Sequence, residues 1–380
     1  MKYKSVDRLQ NALAGDVFHH TKDAKKASGR ALGTMVEIIT FYLLKSWGFE
    51  NSVAIERALA EYGNLEITHN VEYSLHPILN KYGLEWSGKL PITANGLLRQ
   101  LGSKVRGFDH TANKLLTSSM ILRNSCVIAR EKDTKSSHLT ANLLSKTSSG
   151  YQISVMEQYS KPYAMFECKR VGVEEGARKG PQTIEKAKQG AYVAKSVSSL
   201  QKFRTLEGEL YGLIYKAEGQ VYTKPYKELL AEIISSDEPQ LLRDFILTIG
   251  VVSNHGNWFT SDDHNKEIKV LAQSYDWLVF LSDEGLAEFI TELLLEPTPV
   301  LEPAKRAFLL SYSAEKKKNA FTKVQMDYEA DQVLQSYFRD NLGRIENWFN
   351  IIAPIGKTMQ ELHAYVSELR DKNWQVIHSL

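Results

Sequence analysis

Two apolar runs of strand length constrain the fold of this 380-residue chain more than any other feature. The runs are FILTIGVVS, residues 245–253, and YDWLVFLS, residues 275–282, and the helical pattern NKEIKVLAQS separates them. Continuous apolar runs indicate strands that are buried on both faces, and their alternation with helices is typical of a covered sheet. The sequence therefore predicts an α/β fold in which helices flank a central mixed β-sheet.

The rest of the chain adds helical regions to this predicted sheet. We divide it into an N-terminal helical region, a central core and a C-terminal helical region, at residues 1–135, 136–290 and 291–380. The N-terminal region contains a buried first core helix at residues 33–49, which Thr34 can cap and Gly48 can end. Basic helices are predicted between residues 95 and 131, and a polar loop or short helix at residues 134–150.

An acid and a base stand two residues apart inside one of the predicted core strands. The segment YQISVMEQYSKPYAMFECKRVGV, residues 151–173, has the pattern of a hairpin with its turn at Pro162. Because side chains two residues apart share a face of a strand, Glu167 and Lys169 point the same way. A turn centred on Pro162 places Glu157 opposite Glu167, with about 5 Å between their Cβ atoms.

Two carboxylates at this distance repel each other, and a divalent cation removes the repulsion. Mg²⁺ suits such a site because it binds one or two protein carboxylates and keeps waters or phosphate oxygens as its other ligands. Lys169 can stabilise charge that develops on a phosphate, so the set fits metal-assisted hydrolysis of a phosphodiester. Glu157 is the sole acid between residues 134 and 166, and Asp109 remains the alternative first ligand.

Each candidate residue also has a purely structural interpretation. Glu167 and Lys169 can form a surface salt bridge, and Glu157 can be an exposed strand residue. Glu37, in the first core helix, can pair with Lys45 or another base. Cys168 has the opposite strand parity, which predicts a buried thiol in the core.

Two basic zones stand out in a chain whose net charge is only +2. Residues 161–204 contain ten Lys or Arg and four Glu, and residues 99–135 contain eight basic and three acidic residues. Such zones are typical of a face that binds a polyanion, although solvated helix faces have the same composition.

The E-x-K pattern at residues 167–169, with an acid upstream, an acidic helix before it and a basic helix after it, resembles the PD-(D/E)XK nuclease superfamily. In its type II restriction endonucleases, the core is a helix, an acid-bearing hairpin, a second helix and further strands. The matching segments are MVEIITFYLLKSWGF, ISVMEQYSKPYAMFECKR, PQTIEKAKQGAYVAK, FILTIGVVS and WLVFLS. The resemblance spans roughly half of the chain, which lacks the Pro-Asp pair and has Glu where Asp is usual.

This resemblance implies a role for each candidate residue. Glu157 and Glu167 would be metal ligands for Mg²⁺, and Lys169 would be the catalytic lysine. Glu37 would be the first-helix acid that is directed at the metal or its water, and it decides between one and two metal ions. The residues expected to contact DNA are Lys186 and Gln189 on the second helix, Arg170, Lys179 and Arg106.

The resemblance further implies sequence-specific, Mg²⁺-dependent cleavage of double-stranded DNA by a homodimer. A cognate DNA methyltransferase would be its functional partner in a restriction-modification system, and the C-terminal helices would form the dimer interface. Two alternatives stay open, a structure-specific repair or recombination nuclease and a DNA-binding protein without catalytic activity.

The sequence also predicts a soluble, cytoplasmic protein. The N-terminal residues MKYKSVDRLQNALAGD lack an apolar segment of signal-peptide length, and no apolar run approaches the length of a membrane span. Two cysteines, Cys126 and Cys168, are too few for a disulfide framework.

Overall fold

The structure is a computed structural model that describes residues 6–19, 21–111, 116, 120–172, 181–215, 219–255, 266–310 and 328–379. The helices of these ranges are α1 (Val6–Ala12), α2 (Ala24–Ser46), α3 (Ala94–Leu101), α4 (Pro181–Ser196), α5 (Tyr226–Ser235), α6 (Pro239–Leu242), α7 (Lys266–Ser274), α8 (Asp283–Ile290), α9 (Glu302–Leu310), α10 (Tyr328–Asp340), α11 (Leu342–Glu346), α12 (Met359–Arg370) and α13 (Trp374–His378). None of the helices in these ranges combines the length and the apolar character needed to cross a membrane.

The strands form three sheets. They are β1 (Val53–Glu61), β2 (Asn64–Leu75), β3 (Ile78–Trp86), β4 (Phe108–His110), β5 (Cys126–Glu131), β6 (Ser137–Thr147), β7 (Gly150–Tyr159), β8 (Ala164–Gly172), β9 (Gln201–Arg204), β10 (Leu210–Tyr215), β11 (Val221–Pro225), β12 (Leu247–His255), β13 (Trp277–Leu281) and β14 (Phe349–Ala353). The smallest sheet is β11-β10-β9, in which β10 pairs antiparallel with both of its neighbours.

The largest sheet has six strands in the order β1-β2-β8-β12-β13-β14. β8, β12 and β13 are parallel, whereas β2 and β14 run antiparallel to their neighbours. Helix α2 lies against one face of β8 and β12, and α4 and α7 lie over the other face. Because both faces are covered, β12 and β13 are largely apolar, whereas β8 is apolar only up to Phe166 and then carries Glu167 and Lys169. The predicted mixed α/β sheet with flanking helices is confirmed.

A second sheet is inserted in the chain between β2 and β8. It has five antiparallel strands in the order β3-β7-β6-β5-β4. β7 pairs with β3 and β6, so β7 and β8 belong to different sheets although they are consecutive in the chain. Residues 160–163 carry the chain across, and the amide of Tyr163 donates to the carbonyl of Leu75 at 2.9 Å. The predicted hairpin at residues 151–173 is therefore wrong.

The N-terminal region contains more strand than the sequence predicts. The first basic helix matches α3 and the 3₁₀ turn at Gly102–Val105. The second basic segment forms β4 and β5 in its described part, and most of the predicted polar loop at residues 134–150 is β6. The polar side chains of His138, Thr140 and Asn142 are buried on β6, which explains why polarity alone suggested a loop.

The C-terminal region is joined to α2 by a buried charge network. Asp331 on α10 accepts hydrogen bonds from Lys45 at 2.8 and 2.9 Å and from Tyr42 at 2.8 Å. Asn124 donates to the same carboxylate at 2.7 Å. These hydrogen bonds satisfy the buried carboxylate and connect α2 to α10 and to residue 124.

Two fully buried histidines lie between the two larger sheets. The rings of His76 and His138 are 4.7 Å apart between centroids. Nδ1 of His76 lies 2.8 Å from the carbonyl oxygen of Tyr159, and Nε2 lies 2.7 Å from the hydroxyl of Ser74. Burial, followed by the charge of Arg57, lowers the pKa of both histidines well below 6.5. Both rings are therefore neutral at physiological pH.

Acid should destabilise the fold through this histidine pair. The pKa is lower in the folded state than in the unfolded state, so the unfolded state takes up protons first and the free energy of unfolding falls below about pH 6.5. The expected loss is at most about 1.4 kcal/mol per histidine for each pH unit. Urea unfolding at several pH values between about 7.5 and 5.5 measures it.

His138→Met should make this pH dependence shallower, because one of the two buried titrating rings is removed. His110→Asn is the matched control, since His110 is exposed on β4. An unfolding free energy that stays constant across the acid range in the unmodified protein would contradict the expectation.

Candidate active site

The candidate site lies where β2 and β8 stop pairing. β2 pairs with β8 over three residues, ending at Tyr73↔Phe166, whereas β8 pairs with β12 over all nine residues from Ala164 to Gly172. We call this divergence the fork. Glu72 and Glu167 are the first residues beyond the last pair on their strands, and they are 2% and 5% exposed. Two buried acidic residues thus lie next to a break in the sheet.

Glu167 is held by a backbone amide and by a lysine. The amide of Glu72 donates to Oε2 of Glu167 at 3.3 Å, taking the place of a ladder hydrogen bond. Nζ of Lys169 lies 2.5 Å from Oε1 of Glu167, and the lysine side chain is 34% exposed. The ammonium therefore stands between the buried carboxylate and solvent, as strand parity predicts for residues 167 and 169.

Two further acids, Glu37 on α2 and Glu56 on β1, lie near Tyr73 at the fork. The hydroxyl of Tyr73 donates to the backbone carbonyl of Glu37 at 2.8 Å, which holds this turn of α2 against β2. Burial, followed by the nearby carboxylates of Glu72, Glu37 and Glu56, raises the pKa of Tyr73 well above 10. A cation would be favoured beside these carboxylates.

Cys168 lies on the opposite face of β8 from Glu167 and is buried. Burial, followed by the charge of Glu72, raises the pKa of its thiol well above 9. A thiol without thiolate character is a poor nucleophile, so Cys168 is part of the core and not of the chemistry.

Two glycines allow other elements to approach Glu167 closely. A Cβ atom at Gly190 of α4 would lie 2.6 Å from the hydroxyl oxygen of Tyr275 and 3.1 Å from Cγ of Glu167. A Cβ atom at Gly250, the β12 partner of Glu167, would lie 2.7 Å from the ring of Tyr275. Sequence reasoning missed these residues, although a glycine inside a helix and another inside a strand signal close packing.

Glu157 does not lie opposite Glu167, which corrects the predicted metal pair. It is on β7 in the five-stranded sheet, where it accepts hydrogen bonds from Tyr82 at 2.6 Å and Asn80 at 2.9 Å. The register argument failed because β7 and β8 are not neighbours. The acidic residue next to Glu167 is Glu72 and not Glu157. The sequence feature that could have identified it is an acid inside the largely apolar segment VEYSL.

The other predicted residues are spread over the molecule. Asp109, the alternative first ligand, is exposed on β4 and lies 3.1 Å from Lys132. Arg106 is exposed after the 3₁₀ turn, and Gln189 is exposed on α4 directly before Gly190. Lys179 and the side chains of Arg170 and Lys186 lie outside the described residues.

The donor set at the fork fits Mg²⁺ better than a metal that needs several side-chain ligands. Among the described residues, no three His, Cys, Asp or Glu side chains form a group that could hold a metal ion. Mg²⁺ binds through one or two carboxylates and keeps several waters, and Glu72 and Glu167 supply two carboxylates.

Comparisons with known proteins give no family for this chain. No family model, no curated protein and no solved structure matches it. Its function is therefore inferred from the geometry of the site and from the residue pattern.

Gly190→Ala should lower stability by about 1–3 kcal/mol, because the added methyl group collides with Tyr275 and Glu167. Gly33→Ala is the matched control, since Gly33 is inside α2 with nothing within 4 Å of an added Cβ. That control should be neutral or stabilising by up to about 1 kcal/mol. Thermal and urea unfolding measure both effects.

Tyr275→Phe removes the hydroxyl that the new methyl group would meet first. Combined with Gly190→Ala, it should restore part of the lost stability. Equal effects of Gly190→Ala and Gly33→Ala would mean that α4 does not approach Glu167 as closely as described.

Proposed function

We propose that the chain is a Mg²⁺-dependent nuclease that hydrolyses phosphodiester bonds in double-stranded DNA. The observation that carries the proposal is the fork, where the buried carboxylate of Glu167 accepts a hydrogen bond from the amide of the buried acid Glu72 and lies beside the ammonium of Lys169. Two buried acids and a partly exposed lysine at a break in a sheet suit metal-assisted attack of water on a phosphate.

The order of elements around the fork supports the same proposal. An acid-bearing helix, α2, precedes the acid-bearing β2 and β8, and α4 and the parallel strand β12 follow. This order agrees with the PD-(D/E)XK core that the residue pattern resembles. In this proposal the five-stranded sheet is an insertion between the two acid-bearing strands.

Each residue of the fork has a defined task in the proposed reaction. Glu72 and Glu167 would hold Mg²⁺, which when bound supplies Lewis acidity toward the phosphate and activates water. The ammonium of Lys169 orients the attacking water and donates N–H hydrogen bonds to a phosphate oxygen as its negative charge grows. Glu167 keeps this ammonium in place through the 2.5 Å contact. Burial of the carboxylate strengthens that attraction.

Glu37 has a secondary task in the proposal. Glu37, Glu72 and Glu167 do not form a three-ligand group in the described part of the chain. We therefore assign Glu37 to the orientation of a water molecule at the fork, with its backbone position fixed by the hydrogen bond from Tyr73. Mg²⁺ itself would use two protein carboxylates.

The finer proposal is a type II restriction endonuclease that acts as a homodimer. Two symmetric sites can cut both strands of a palindromic sequence. The net positive segment at residues 161–204 follows the fork along the chain and would contribute DNA phosphate contacts, with Gln189 exposed on α4 within it. A DNA methyltransferase would protect the host sequence, and cytoplasmic location would follow from that role.

Single Glu→Gln substitutions test whether the active site contains Glu72, at the fork, or Glu157, the metal ligand that strand spacing suggested. Glu72→Gln and Glu167→Gln should each lower the cleavage rate by about a hundredfold or more, because each removes a ligand at the reacting phosphate. Glu157→Gln should retain cleavage, since Glu157 is on β7 in the other sheet. The assay is cleavage of unmethylated phage DNA with Mg²⁺, followed by sequencing of the ends.

Reactions with EDTA and with Lys169→Ala complete the assay, and both should leave the DNA intact. Loss of cleavage in Glu157→Gln but not in Glu72→Gln would reject the fork as the active site. Intact DNA with every preparation, while binding persists, would indicate a DNA-binding protein without catalytic activity. Cleavage confined to mismatches or junctions would replace restriction by repair or recombination.

A further inference from the structure

Polar side chains gather where the six-stranded and five-stranded sheets meet. Four of them, which we call the basic junction, are Arg57 on β1, Arg130 on β5, His138 on β6 and Gln158 on β7. Arg57 is 6% exposed and His138 and Gln158 are 0% exposed, whereas Arg130 is exposed. The basic junction therefore has a buried interior and one side that faces solvent.

Cross-strand register brings three members of the basic junction together. Arg130 lies opposite His138, and His138 lies opposite Gln158. Directly opposite residues share a face of a sheet, so the three side chains form one row. The row runs from the exposed guanidinium of Arg130 to the buried amide of Gln158.

Arg57 reaches this row from the other sheet. Nη2 of Arg57 donates to the carbonyl of Ser160 at 3.3 Å. The preceding carbonyl, that of Tyr159, lies 2.8 Å from Nδ1 of His76. The ring of His76 in turn packs against His138, with 4.7 Å between centroids. Arg57 and His138 therefore both lie beside the segment that connects β7 to β8.

Among the described residues, neither arginine of the basic junction has a carboxylate partner. The single hydrogen bond of Arg57 in these ranges goes to a carbonyl. Asp109 lies opposite Arg130 on β4, but its carboxylate is 3.1 Å from Nζ of Lys132. Burial, followed by the charge of Arg130, lowers the pKa of Arg57 to about 10. The buried cation is thus repelled by a second cation and is not attracted by an acid.

Four buried atoms of the basic junction have no hydrogen-bond partner in the described part of the chain. They are Nε of Arg57, both ring nitrogens of His138 and Oε1 of Gln158. The orientation of the Gln158 amide is fixed, because its Nε2 donates to the carbonyl of Asn51 at 2.7 Å. Buried polar groups are nearly always hydrogen-bonded, so this concentration in one place indicates a bound molecule that supplies the missing partners.

The four atoms define the groups that such a molecule has to supply. The Nε–H of Arg57 and the single N–H of neutral His138 are donors, which require acceptor oxygens. The other ring nitrogen of His138 and Oε1 of Gln158 are acceptors, which require a hydroxyl. The two guanidinium groups require negative charge. A phosphate group that carries one proton combines these properties.

We propose that the basic junction binds a protonated phosphate group, either inorganic hydrogen phosphate or the terminal phosphate of a nucleotide. Arg57 and Arg130 hold its negative oxygens, the N–H of His138 donates to an oxygen, and Oε1 of Gln158 accepts from the hydroxyl. A phosphodiester of the DNA backbone has no such hydroxyl and does not match this set of groups. The site is therefore distinct from the fork and does not depend on the proposed nuclease activity.

Isothermal titration of the full chain with inorganic phosphate tests the proposal, at an ionic strength kept constant with chloride. We expect saturable binding of one phosphate per chain. Arg130→Gln should weaken it about tenfold to a hundredfold, because a charge-assisted hydrogen bond is lost. The exposed position of Arg130 leaves the core intact. Arg99→Gln is the matched control, since Arg99 is exposed on α3, and it should bind phosphate like the unmodified protein.

Two further ligands identify the phosphate group. Sulfate carries no proton at neutral pH, so it should bind at least about tenfold more weakly than phosphate. Deoxyadenosine 5′-monophosphate in the same titration separates the two sources. A higher affinity than that of inorganic phosphate assigns the site to a nucleotide, whereas binding of inorganic phosphate alone assigns it to the free anion.

Absence of saturable phosphate binding in the unmodified protein would overturn the proposal and leave ordered waters as the missing partners. Equal affinities of Arg130→Gln and Arg99→Gln would also overturn it, because the anion would then bind elsewhere. Equal affinities for sulfate and phosphate would reject the hydroxyl contact with Gln158 and with it the protonated phosphate. Thermal unfolding shows that each variant is folded, and saturating phosphate should raise the unfolding temperature of the unmodified protein.

Discussion

Burial of the Glu167 carboxylate is the constraint on which the surrounding elements depend. A buried carboxylate needs hydrogen bonds or an opposite charge, and Glu167 has the amide of Glu72 and the ammonium of Lys169. The amide is available because β2 leaves β8 at this level and no longer donates to the ladder. Gly190 and Gly250 then let α4 and an aromatic ring close over the carboxylate. The fork, the glycines and the lysine therefore act as one unit.

The position of α2 relative to this unit depends on residues far away in the chain. Asp331 on α10 binds Lys45 and Tyr42 of α2, and Asn124 binds the same carboxylate. Removal of one partner from such a buried network would leave the Asp331 charge incompletely compensated, which is strongly destabilising. The C-terminal helices thus help to place Glu37 near the fork, whatever further role they have.

Local patterns predicted the elements whose neighbours are close in sequence. The apolar runs gave β12 and β13, Pro181 begins α4, and parity put Glu167 and Lys169 on one face with Cys168 on the other. The strand β6 was missed because its polar residues are buried between sheets, a tertiary effect that composition does not carry. Gly190 and Gly250 were missed because a Cβ atom at either position would collide with Tyr275, which comes close to them only in the folded structure.

The prediction that Glu157 lies opposite Glu167 was wrong for a general physical reason. Spacing identifies partners only when consecutive strands pair, and here residues 78–159 form a separate sheet between β2 and β8. Burial would have separated the two acids: Glu72 sits among the buried residues at the end of β2, whereas Glu157 is partly exposed and accepts hydrogen bonds from Asn80 and Tyr82. An acid at a buried strand position costs stability unless it is hydrogen-bonded or paired, so such a position distinguishes Glu72 from Glu157 as a candidate for the site proposed above.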